Sequence, residues 1–416
     1  MAMDALARLT SGAAEIAPEG GLREKLALGR PLRVKLGLDP TAPAVTLGWA
    51  VVLRALRRFQ DEGHQAVLIV GDFTARVGDP SGKSATRPRL SKEEVDRFAA
   101  RLLDQFWKVL DRDRVELRRN SEWLESLGVE EVLRLAASTT VARMLERDDF
   151  AKRYAEGQPI SLLEFLYPLL QGYDSVAVRA DVELGGTDQL FNLLVGRELQ
   201  RDDGQDPQVA LTMPLLEGLD GVQKMSQSLG NFVGIDEAAD EMFGKLMSIP
   251  DDLIAKYELL CTDLGPQDHE RVAAGLADGS IHPNEEKRRM ARTIVDLYQG
   301  DGSGERAEAS FDARHRERRV DTEAPHVAVE WVGVLLEDRM VDVAALLWKL
   351  GLASSKSEGR RLIEQLAVRC LWKGWPDPKG ERITDLKLSY MQEPPRGWEG
   401  SVWSVGKRRF AVAEFV

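Results

Sequence analysis

The chain has 416 residues, of which 43% are hydrophobic and 30% are charged. This length exceeds what one hydrophobic core usually serves, so two or three domains are expected. No apolar run approaches the roughly 18 to 20 residues that span a bilayer, and the N-terminus lacks a basic region followed by an apolar block. The two cysteines have no paired spacing, which argues against a disulfide framework and a zinc site. We therefore expect a soluble, cytoplasmic protein without a bound metal.

The formal net charge of −12 is unevenly distributed. From Met340 to the end there are 13 basic and 9 acidic side chains, a balance of +4, which leaves −16 for the rest of the chain. A basic module on an acidic body indicates a localised contact with a polyanion. An ordinary small domain with an accidental positive balance is the alternative.

The predicted elements of the first half alternate between strands and helices. Strands are predicted at 32–36 and 66–70, and segment 47–60 between them spaces its apolar residues as a helix does. Ser91 and Glu94 form a predicted capping box that starts a helix running to about residue 110. Further strands are predicted at 115–117, 182–184 and 209–213. This pattern indicates an α/β fold with a mostly parallel sheet.

The second half divides into a helical part and a small mixed part. The pattern is helical from about residue 235 to 314, and a further unit begins near Glu330. That unit contains a helix ending at Gly351 and a second predicted capping box, Ser355 with Glu358, which opens a helix through residue 365. Its predicted strands are 368–371, 386–388, 402–405 and 410–412. The expected domains are residues 1–230, 231–325 and 330–416.

A glycine-containing turn at 78–84 invites a phosphate-loop interpretation. That motif needs four residues between its glycines, and here only three intervene, so a P-loop NTPase is disfavoured. The turn and its surroundings still carry Asp79, Lys83 and Arg87, which can offer a carboxylate to an ammonium group and cations to phosphate. A tight turn with solvated charges is the alternative.

A line of polar side chains interrupts an apolar helical pattern near residue 170. Tyr167, Gln171 and Asp174 have helical spacing, and Pro168 requires the helix to begin or kink nearby. If these groups are buried they need partners, from a polar ligand or from an internal network. The stretch 185–189, Gly-Gly-Thr-Asp-Gln, follows a predicted strand and suits the approach of a ribose to the backbone.

Histidine chemistry has little support in this sequence. Only His64 of the five histidines lies in the first half, in a predicted turn far in sequence from these loops. The polar loop 224–231 has the composition of a solvated connector. Any catalysis must therefore rest mainly on positioning and electrostatics.

Taken together, these stretches resemble the bacterial-type tyrosyl-tRNA synthetases of class I. The resemblance extends nearly end to end and includes a small S4-type RNA-binding module at residues 354–365 and 405–410. It implies a Rossmann-like catalytic domain, a helical tRNA-binding domain and an S4-like C-terminal domain. The stretches that carry it in the catalytic part are 35–41, 71–74, 78–83, 141–150, 167–174 and 182–189.

The resemblance also implies roles for the polar line. Asp79, Tyr167 and Gln171 would hold the α-ammonium group of tyrosine, and Gln189 would line the same pocket. Asp174 would accept a hydrogen bond from the phenol. Phenylalanine would leave that carboxylate desolvated and unpaired, which is a physical reason for its rejection.

The resemblance also implies a set of ATP-binding residues. ATP would be a substrate that enters together with Mg²⁺. Thr41, Lys83 and Arg87 would contact the phosphates or belong to a mobile loop over them. Gly186 and Asp188 would face the ribose.

Both signature motifs of the family are altered in this sequence. Family members carry His-(Ile/Leu/Val)-Gly-His where this chain has Thr46-Leu-Gly-Trp49, and typically Lys-Met-Ser-Lys-Ser where it has Lys224-Met-Ser-Gln-Ser228. One lost phosphate-stabilising donor typically costs about 10² to 10³ in rate. For three lost groups a reduction on the order of 10⁴ or more is expected, unless Thr46, Lys224 and Lys83 compensate.

Within these motifs, Gln227 stands where the family has its second lysine, and Ser228 and Gly48 are matched positions of the nucleotide site. Trp49 is far larger than imidazole. It would narrow the ATP site, stack on the adenine or pack into the core.

The main hypothesis is a tyrosine–tRNA ligase that forms tyrosyl-adenylate and transfers the tyrosyl group to tRNA(Tyr), acting as a homodimer. The alternative is an impaired paralogue that binds tyrosine, a derivative or RNA in regulation or specialised metabolism. A third possibility is transfer to another acceptor. Lys356, Arg360 and Arg361 lie towards one side of a capped helix, as RNA phosphate contacts require, although a solvated face fits equally.

Overall fold

The computed structural model describes residues 2–78, 90–315, 325–336, 340–371, 381–384, 387–389, 400–406 and 409–415. It separates into two compact units, residues 1–307 and 308–416. In the described part of the chain, every helix is too short or too polar to cross a membrane.

The first unit is built on a six-stranded sheet with the order β1-β6-β5-β2-β3-β4. All neighbouring strands are parallel except β1, which pairs antiparallel with β6. The α/β prediction and its mostly parallel sheet are confirmed. The strands are β1 (Glu15–Ala17), β2 (Arg33–Leu38), β3 (Gln65–Val70), β4 (Val115–Arg119), β5 (Val182–Gly186) and β6 (Val209–Met213).

The central strands are apolar without alternation because both faces of the sheet are covered. Residues 66–70 of β3 and all of β6 are buried, and successive side chains of a strand point to opposite faces. The helices of this unit and its boundary are α1 (Ala2–Leu9), α2 (Gly21–Leu26), α3 (Leu47–Asp61), α4 (Thr74–Val77), α5 (Lys92–Phe106), α6 (Ser121–Leu124), α7 (Val129–Ala137), α8 (Val141–Met144), α9 (Asp148–Ala155), α10 (Leu162–Val178), α11 (Leu190–Asp202), α12 (Ala239–Leu246), α13 (Ile254–Cys261), α14 (Pro266–Asp278), α15 (Pro283–Gln299) and α16 (Ser303–His315).

Two predicted helix features have clear outcomes. The capping box of Ser91 and Glu94 is present at the start of α5, which ends at residue 106 rather than near 110. Pro168 lies inside α10 instead of near its start, because the helix begins at Leu162 after a capping box at Ser161. Since proline has no amide hydrogen, the helical bond to the carbonyl four residues earlier is missing.

The second unit begins within α16, and its described part also contains helices α17 (Val343–Lys349) and α18 (Lys356–Glu364). They pack on a core that includes Trp403 and Ile363. One sheet has the order β10-β9-β12-β13-β7, and β8 pairs with β11. The strands are β7 (His326–Val329), β8 (Met340–Asp342), β9 (Val368–Leu371), β10 (Glu381–Arg382), β11 (Lys387–Ser389), β12 (Ser401–Val405) and β13 (Arg409–Phe415).

The second predicted capping box is only half correct. The Ser355 hydroxyl accepts from the Glu358 amide, but the Glu358 carboxylate accepts from the amide of Ser354, not of Ser355. In the predicted strand at 386–388, residue 386 lies outside the described residues.

Helices α17 and α18 end in the same hydrogen-bonding motif with different residues. After α17 the amides of Gly351 and Leu352 bond to carbonyls 348 and 347, and after α18 those of Leu366 and Ala367 bond to carbonyls 363 and 362. Gly351 has φ +71° and Leu366 has φ +55°. The left-handed conformation favours glycine, so the leucine is strained.

We predict opposite effects on stability from exchanging these residue types. Leu366 is 47% exposed, so Leu366→Gly loses little packing and relieves the strain, with an expected gain of about 0.5 to 1 kcal/mol in the free energy of unfolding. A β-carbon at Gly351 would meet no atom within 4 Å, yet Gly351→Leu should lose about 1 kcal/mol of stability because of the left-handed backbone. Urea unfolding measures both, and equal signs for the two variants would contradict the strain argument.

Candidate active site

The strand order identifies the edge of the sheet where a ligand would bind. From β2 the chain continues to β3 on one side, and from β5 it continues to β6 on the other. In open α/β sheets, ligands bind outside the carboxyl ends of strands at such a reversal. Asp39 follows β2 at this edge, and Gly186 is the last residue of β5.

Asp174 lies on α10 and is buried, with 3% of its surface exposed. Its carboxylate accepts hydrogen bonds from the Trp123 indole nitrogen at 2.8 Å and from the Asn120 amide nitrogen at 3.3 Å. Both donors lie just after β4. The acid therefore does not face bulk solvent, and sequence reasoning had not found its two donors.

Burial raises the pKa of Asp174 to about 7, because the ionised form loses its hydration. The positive charge of Lys35 and the hydrogen bonds from Trp123 and Asn120 act in the opposite direction, and the charge of Glu183 adds to the rise. Near neutral pH this carboxyl group is thus poised between its two forms.

Tyr167 contacts a second carboxylate at the end of β2. Its hydroxyl donates to Asp39 Oδ2 at 2.8 Å, and the Thr74 hydroxyl donates to Asp39 Oδ1 at 2.7 Å. A β-carbon at Gly71 would collide with this carboxylate, so the glycine leaves room for Asp39 in this position. Sequence reasoning could have singled out Asp39, because this carboxylate comes directly after an apolar strand and lies within the stretch 35–41.

Gln171 and Gln189 come together through a residue that the sequence analysis did not assign. Asn192 donates to the side-chain oxygens of both, at 2.9 and 3.0 Å. Asn192 is buried and accepts from Arg147 Nη1 at 3.1 Å. The predicted polar line is therefore part of a connected network from α10 to α11.

The first altered signature forms the start of α3. Thr46 is buried, and its hydroxyl accepts from the Trp49 amide at 3.3 Å, which caps the helix. The Gly48 amide contacts Met225 Sδ at 3.4 Å. Trp49 is 41% exposed. Of the three arrangements considered for its side chain, packing into the core is therefore wrong.

The second altered signature contacts the segment just before the first one through a glutamine. Gln227 Nε2 donates to the Ala44 carbonyl at 2.6 Å, so the loop is tied to the segment before α3 and is no free connector. Lys224 Nζ lies 3.1 Å from Asp188 Oδ2, and the hydroxyls of Ser226 and Ser228 are 2.9 Å apart. The pocket between these loops is lined by Leu38, Asp39, Thr41, Ala42, Ala44, Val45, Trp49, Leu102, Phe106 and Gln227.

Comparison with known proteins identifies the family. The family model of class I tRNA synthetases (W and Y) matches residues 27–316. The tyrosine–tRNA ligase of Moorella thermoacetica is 50% identical over 407 residues, covering 97% of this chain and 94% of the relative. The chain belongs to the tyrosyl-tRNA synthetase family. The tyrosine–tRNA ligase of Geobacter sulfurreducens is 48% identical and covers 99% of both chains.

Solved synthetases share the fold of about three quarters of the chain. The tyrosyl-tRNA synthetase of Archaeoglobus fulgidus, complexed with L-tyrosine, has a TM-score of 0.62 at 23% identity and covers 74% of this chain and 99% of its own. At this identity the likeness concerns the fold alone.

The remaining residues expected from the synthetase resemblance fall into three groups. A β-carbon on Gly186 would lie 2.7 Å from Asp188 Oδ1, so the glycine permits that close approach. Asp79, Lys83 and Arg87 lie outside the described residues. Lys356, Arg360 and Arg361 belong to the second unit, where all three are exposed and Lys356 lies 3.8 Å from Asp342.

We predict that Asp174 of this synthetase titrates near neutral pH. In ligand-free protein with carboxyl-labelled aspartate, one resonance should change with a midpoint of about 7, whereas most aspartates titrate near 4. Asp174→Asn should remove that resonance and leave the others in place. A midpoint below 5 for the assigned resonance would show that its hydrogen bonds outweigh burial.

Proposed function

We propose that the chain is a tyrosine–tRNA ligase that forms tyrosyl-adenylate from tyrosine and MgATP and then transfers the tyrosyl group to tRNA(Tyr). The observation that carries this proposal is the buried carboxylate of Asp174, which retains unused acceptor capacity beside Trp123 and Asn120. A buried carboxylate of this kind suits a ligand with a polar group at the end of an apolar body. We further propose that the enzyme works in the cytoplasm.

Recognition of tyrosine would rest on the cost of leaving a buried acceptor without a partner. The phenol hydroxyl of tyrosine would donate to Asp174. Phenylalanine would exclude water from the carboxylate without donating a hydrogen bond to it. Tyr167 and Gln171 lie on the same helix and would receive the ammonium group, together with Asp79. Gln189, joined to Gln171 through Asn192, would line the pocket.

ATP would occupy the pocket between the two altered signatures. Trp49 is exposed there and presents a flat surface, and Thr41 lines the same pocket. Gly186 and Asp188 would face the ribose, with Lys224 and Ser228 on the adjoining loop and Lys83 and Arg87 near the phosphates. Magnesium arrives with the nucleotide as part of the substrate and neutralises phosphate charge.

Catalysis in this arrangement is positioning and electrostatic stabilisation, with no covalent enzyme intermediate. Thr46 and Gln227 are neutral, and each already makes a hydrogen bond within the protein. We therefore infer that the activation step operates with less positive charge at the reacting phosphate than a lysine at position 227 would supply. This reduces the rate of the reaction and does not change its nature.

Tyrosine-dependent exchange of pyrophosphate into ATP tests the proposal. Wild type should exchange above background, and Gln227→Lys should raise the exchange rate about tenfold or more, since it adds a cation at the phosphates. Gln227→Met, which has similar length and no charge, is the matched control and should not gain. Background exchange in both wild type and Gln227→Lys would reject the ligase assignment.

The second unit and the helical region are proposed to bind tRNA. Lys356, Arg360 and Arg361 are exposed on or beside the first turns of α18 and would contact RNA phosphates. We propose the functional division into a catalytic domain of residues 1–230, a helical domain of 231–325 and an S4-like domain of 330–416.

We also propose that the enzyme is a homodimer, supported by exposed apolar side chains on and near α7. Leu135 of α7 is buried in the cluster that includes Leu169 of α10, while Val129 and Leu133 are 79% and 64% exposed. Val141 of α8 is also exposed. Large apolar side chains that are exposed close together in the chain fit an association surface, and a symmetric dimer would cover the same surface on each copy.

We predict that Leu133→Glu weakens this association. In a symmetric interface each copy contributes one glutamate, so the dimer would bury two unpaired charges. Burying them is costly, and the dimer should therefore dissociate at micromolar concentration. Sedimentation velocity measures the change. Val222→Glu, at an apolar side chain that is 82% exposed in another loop, is the control and should remain dimeric. Equal sedimentation of wild type and both variants would place the interface elsewhere.

A further inference from the structure

A buried ion pair without an assigned role lies beneath the proposed tyrosine pocket. Lys35 and Glu183 are 0% and 2% exposed, and their Nζ and Oε1 atoms are 2.8 Å apart. They are register partners on β2 and β5, the two parallel strands at which the strand order reverses. The pair therefore lies below the edge of the sheet that carries the site.

Lys35 also reaches helix α10 on both sides of Asp174. Its ammonium group donates to the Gln171 carbonyl at 3.1 Å and to the Ser175 hydroxyl at 2.8 Å. The Ser175 hydroxyl in turn donates to Glu183 Oε2 at 3.0 Å. One helical turn, residues 171–175, is thus fixed to the sheet by three hydrogen bonds.

Stability alone is a weak reason for this pair. Replacing a buried ion pair with apolar side chains of similar volume is often neutral or stabilising, and the residues next to Lys35 and Glu183 on the two strands are Val34, Leu36, Val182 and Leu184. An apolar pair cannot supply a positive charge to Asp174 or hold the Gln171 carbonyl. Those two effects distinguish Lys35 from a packing residue.

We propose that Lys35 and Glu183 are positioning residues for phenol recognition. Lys35 fixes the turn that carries Asp174 and favours its ionised form, while Glu183 holds Lys35 in place and limits that electrostatic effect. The proposal rests on the proposed function, because it concerns the preference for tyrosine over phenylalanine.

The signs of the expected effects differ between the two partners. Without Lys35, the lone negative charge of Glu183 disfavours ionisation of Asp174, and a neutral acid loses less when phenylalanine binds. Without the Glu183 charge, Lys35 favours the ionised form of Asp174 more strongly. Among the described residues, the charged groups that influence Asp174 are Lys35 on β2 and Glu183 on β5, beside its neutral donors Trp123 and Asn120.

The experiment compares Lys35→Met and Glu183→Gln with wild type in two measurements. Calorimetry gives the ratio of the phenylalanine and tyrosine dissociation constants as a function of pH. Lys35→Met should lower this ratio at pH 7.5 by about tenfold or more, and Glu183→Gln should maintain or raise it. The pH at which tyrosine preference appears should rise in the first variant and fall in the second.

Titration of Asp174 in ligand-free protein gives the second measurement. Its midpoint should rise by about one pH unit in Lys35→Met and fall by a similar amount in Glu183→Gln. A role limited to structure would not move the two midpoints in opposite directions. Lys25→Met is the matched control, because Lys25 is also buried and paired, with Asp206 at 2.5 Å, and is expected to leave both measurements unchanged.

Two results would overturn the proposal: an unchanged ratio in folded Lys35→Met, or midpoints that move in the same direction in both variants. If Lys35→Met does not fold, the double variant Lys35→Met/Glu183→Gln, which buries no lone charge, replaces it and should still lose tyrosine preference. If wild type itself shows no preference for tyrosine, the proposed function fails. The Asp174 midpoints then still decide whether the ion pair controls this carboxyl group.

Discussion

The ion pair between Lys35 and Glu183 joins the three elements on which the site is built. Parallel strands β2 and β5 meet there, and Lys35 fixes α10 above them through the Gln171 carbonyl and Ser175. Helix α10 also approaches α11 closely, since a β-carbon on Gly172 would lie 3.1 Å from the Gly196 amide. Any shift of the helix must break hydrogen bonds or create a backbone collision. The polar face of α10 is therefore held rigidly, as a site that distinguishes ligands by one hydroxyl group requires.

The two carboxylates near the pocket, Asp174 and Asp39, are linked by hydrogen bonds through neutral side chains. Asp174 is buried and receives donors from an indole and an amide, and its pKa rises to about 7 because burial outweighs those bonds. Asp39 receives two hydroxyl donors, from Tyr167 and Thr74, and lines the adjoining pocket. The Thr74 hydroxyl also accepts from Asn120, so the two acids belong to one network. Asn120 and Thr74 therefore lie between the two acids and hold their positions relative to each other.

Much of the fold could be predicted because apolar runs and helix caps are local signals. Strands β3 and β6 and helix α3 agree with the sequence analysis within one residue at each end. Strand β1 was missed, since its three residues become a strand only by pairing with β6. The polar line on α10 was found from its spacing, but Asn192 and Lys35 were not, because their roles come from contacts with residues far along the chain. Gln227 shows the same limit: the composition of its loop indicated a solvated connector, and its bond to Ala44 spans 183 residues.

The altered signature loops satisfy their own polar groups. The Thr46 hydroxyl accepts from the Trp49 amide, and the Gln227 amide donates to the Ala44 carbonyl, so each neutral side chain has an internal partner before any nucleotide arrives. A charged lysine at position 227 would favour an anionic ligand far more than a main-chain carbonyl, whereas a neutral amide gains little from exchanging one acceptor for another. The bond to the Ala44 carbonyl uses one of the two N–H donors of the Gln227 amide, and the other N–H can still donate to a phosphate oxygen, but it carries no positive charge. In this protein the neutral residues therefore favour order in the two loops and attract phosphate more weakly than a cation would.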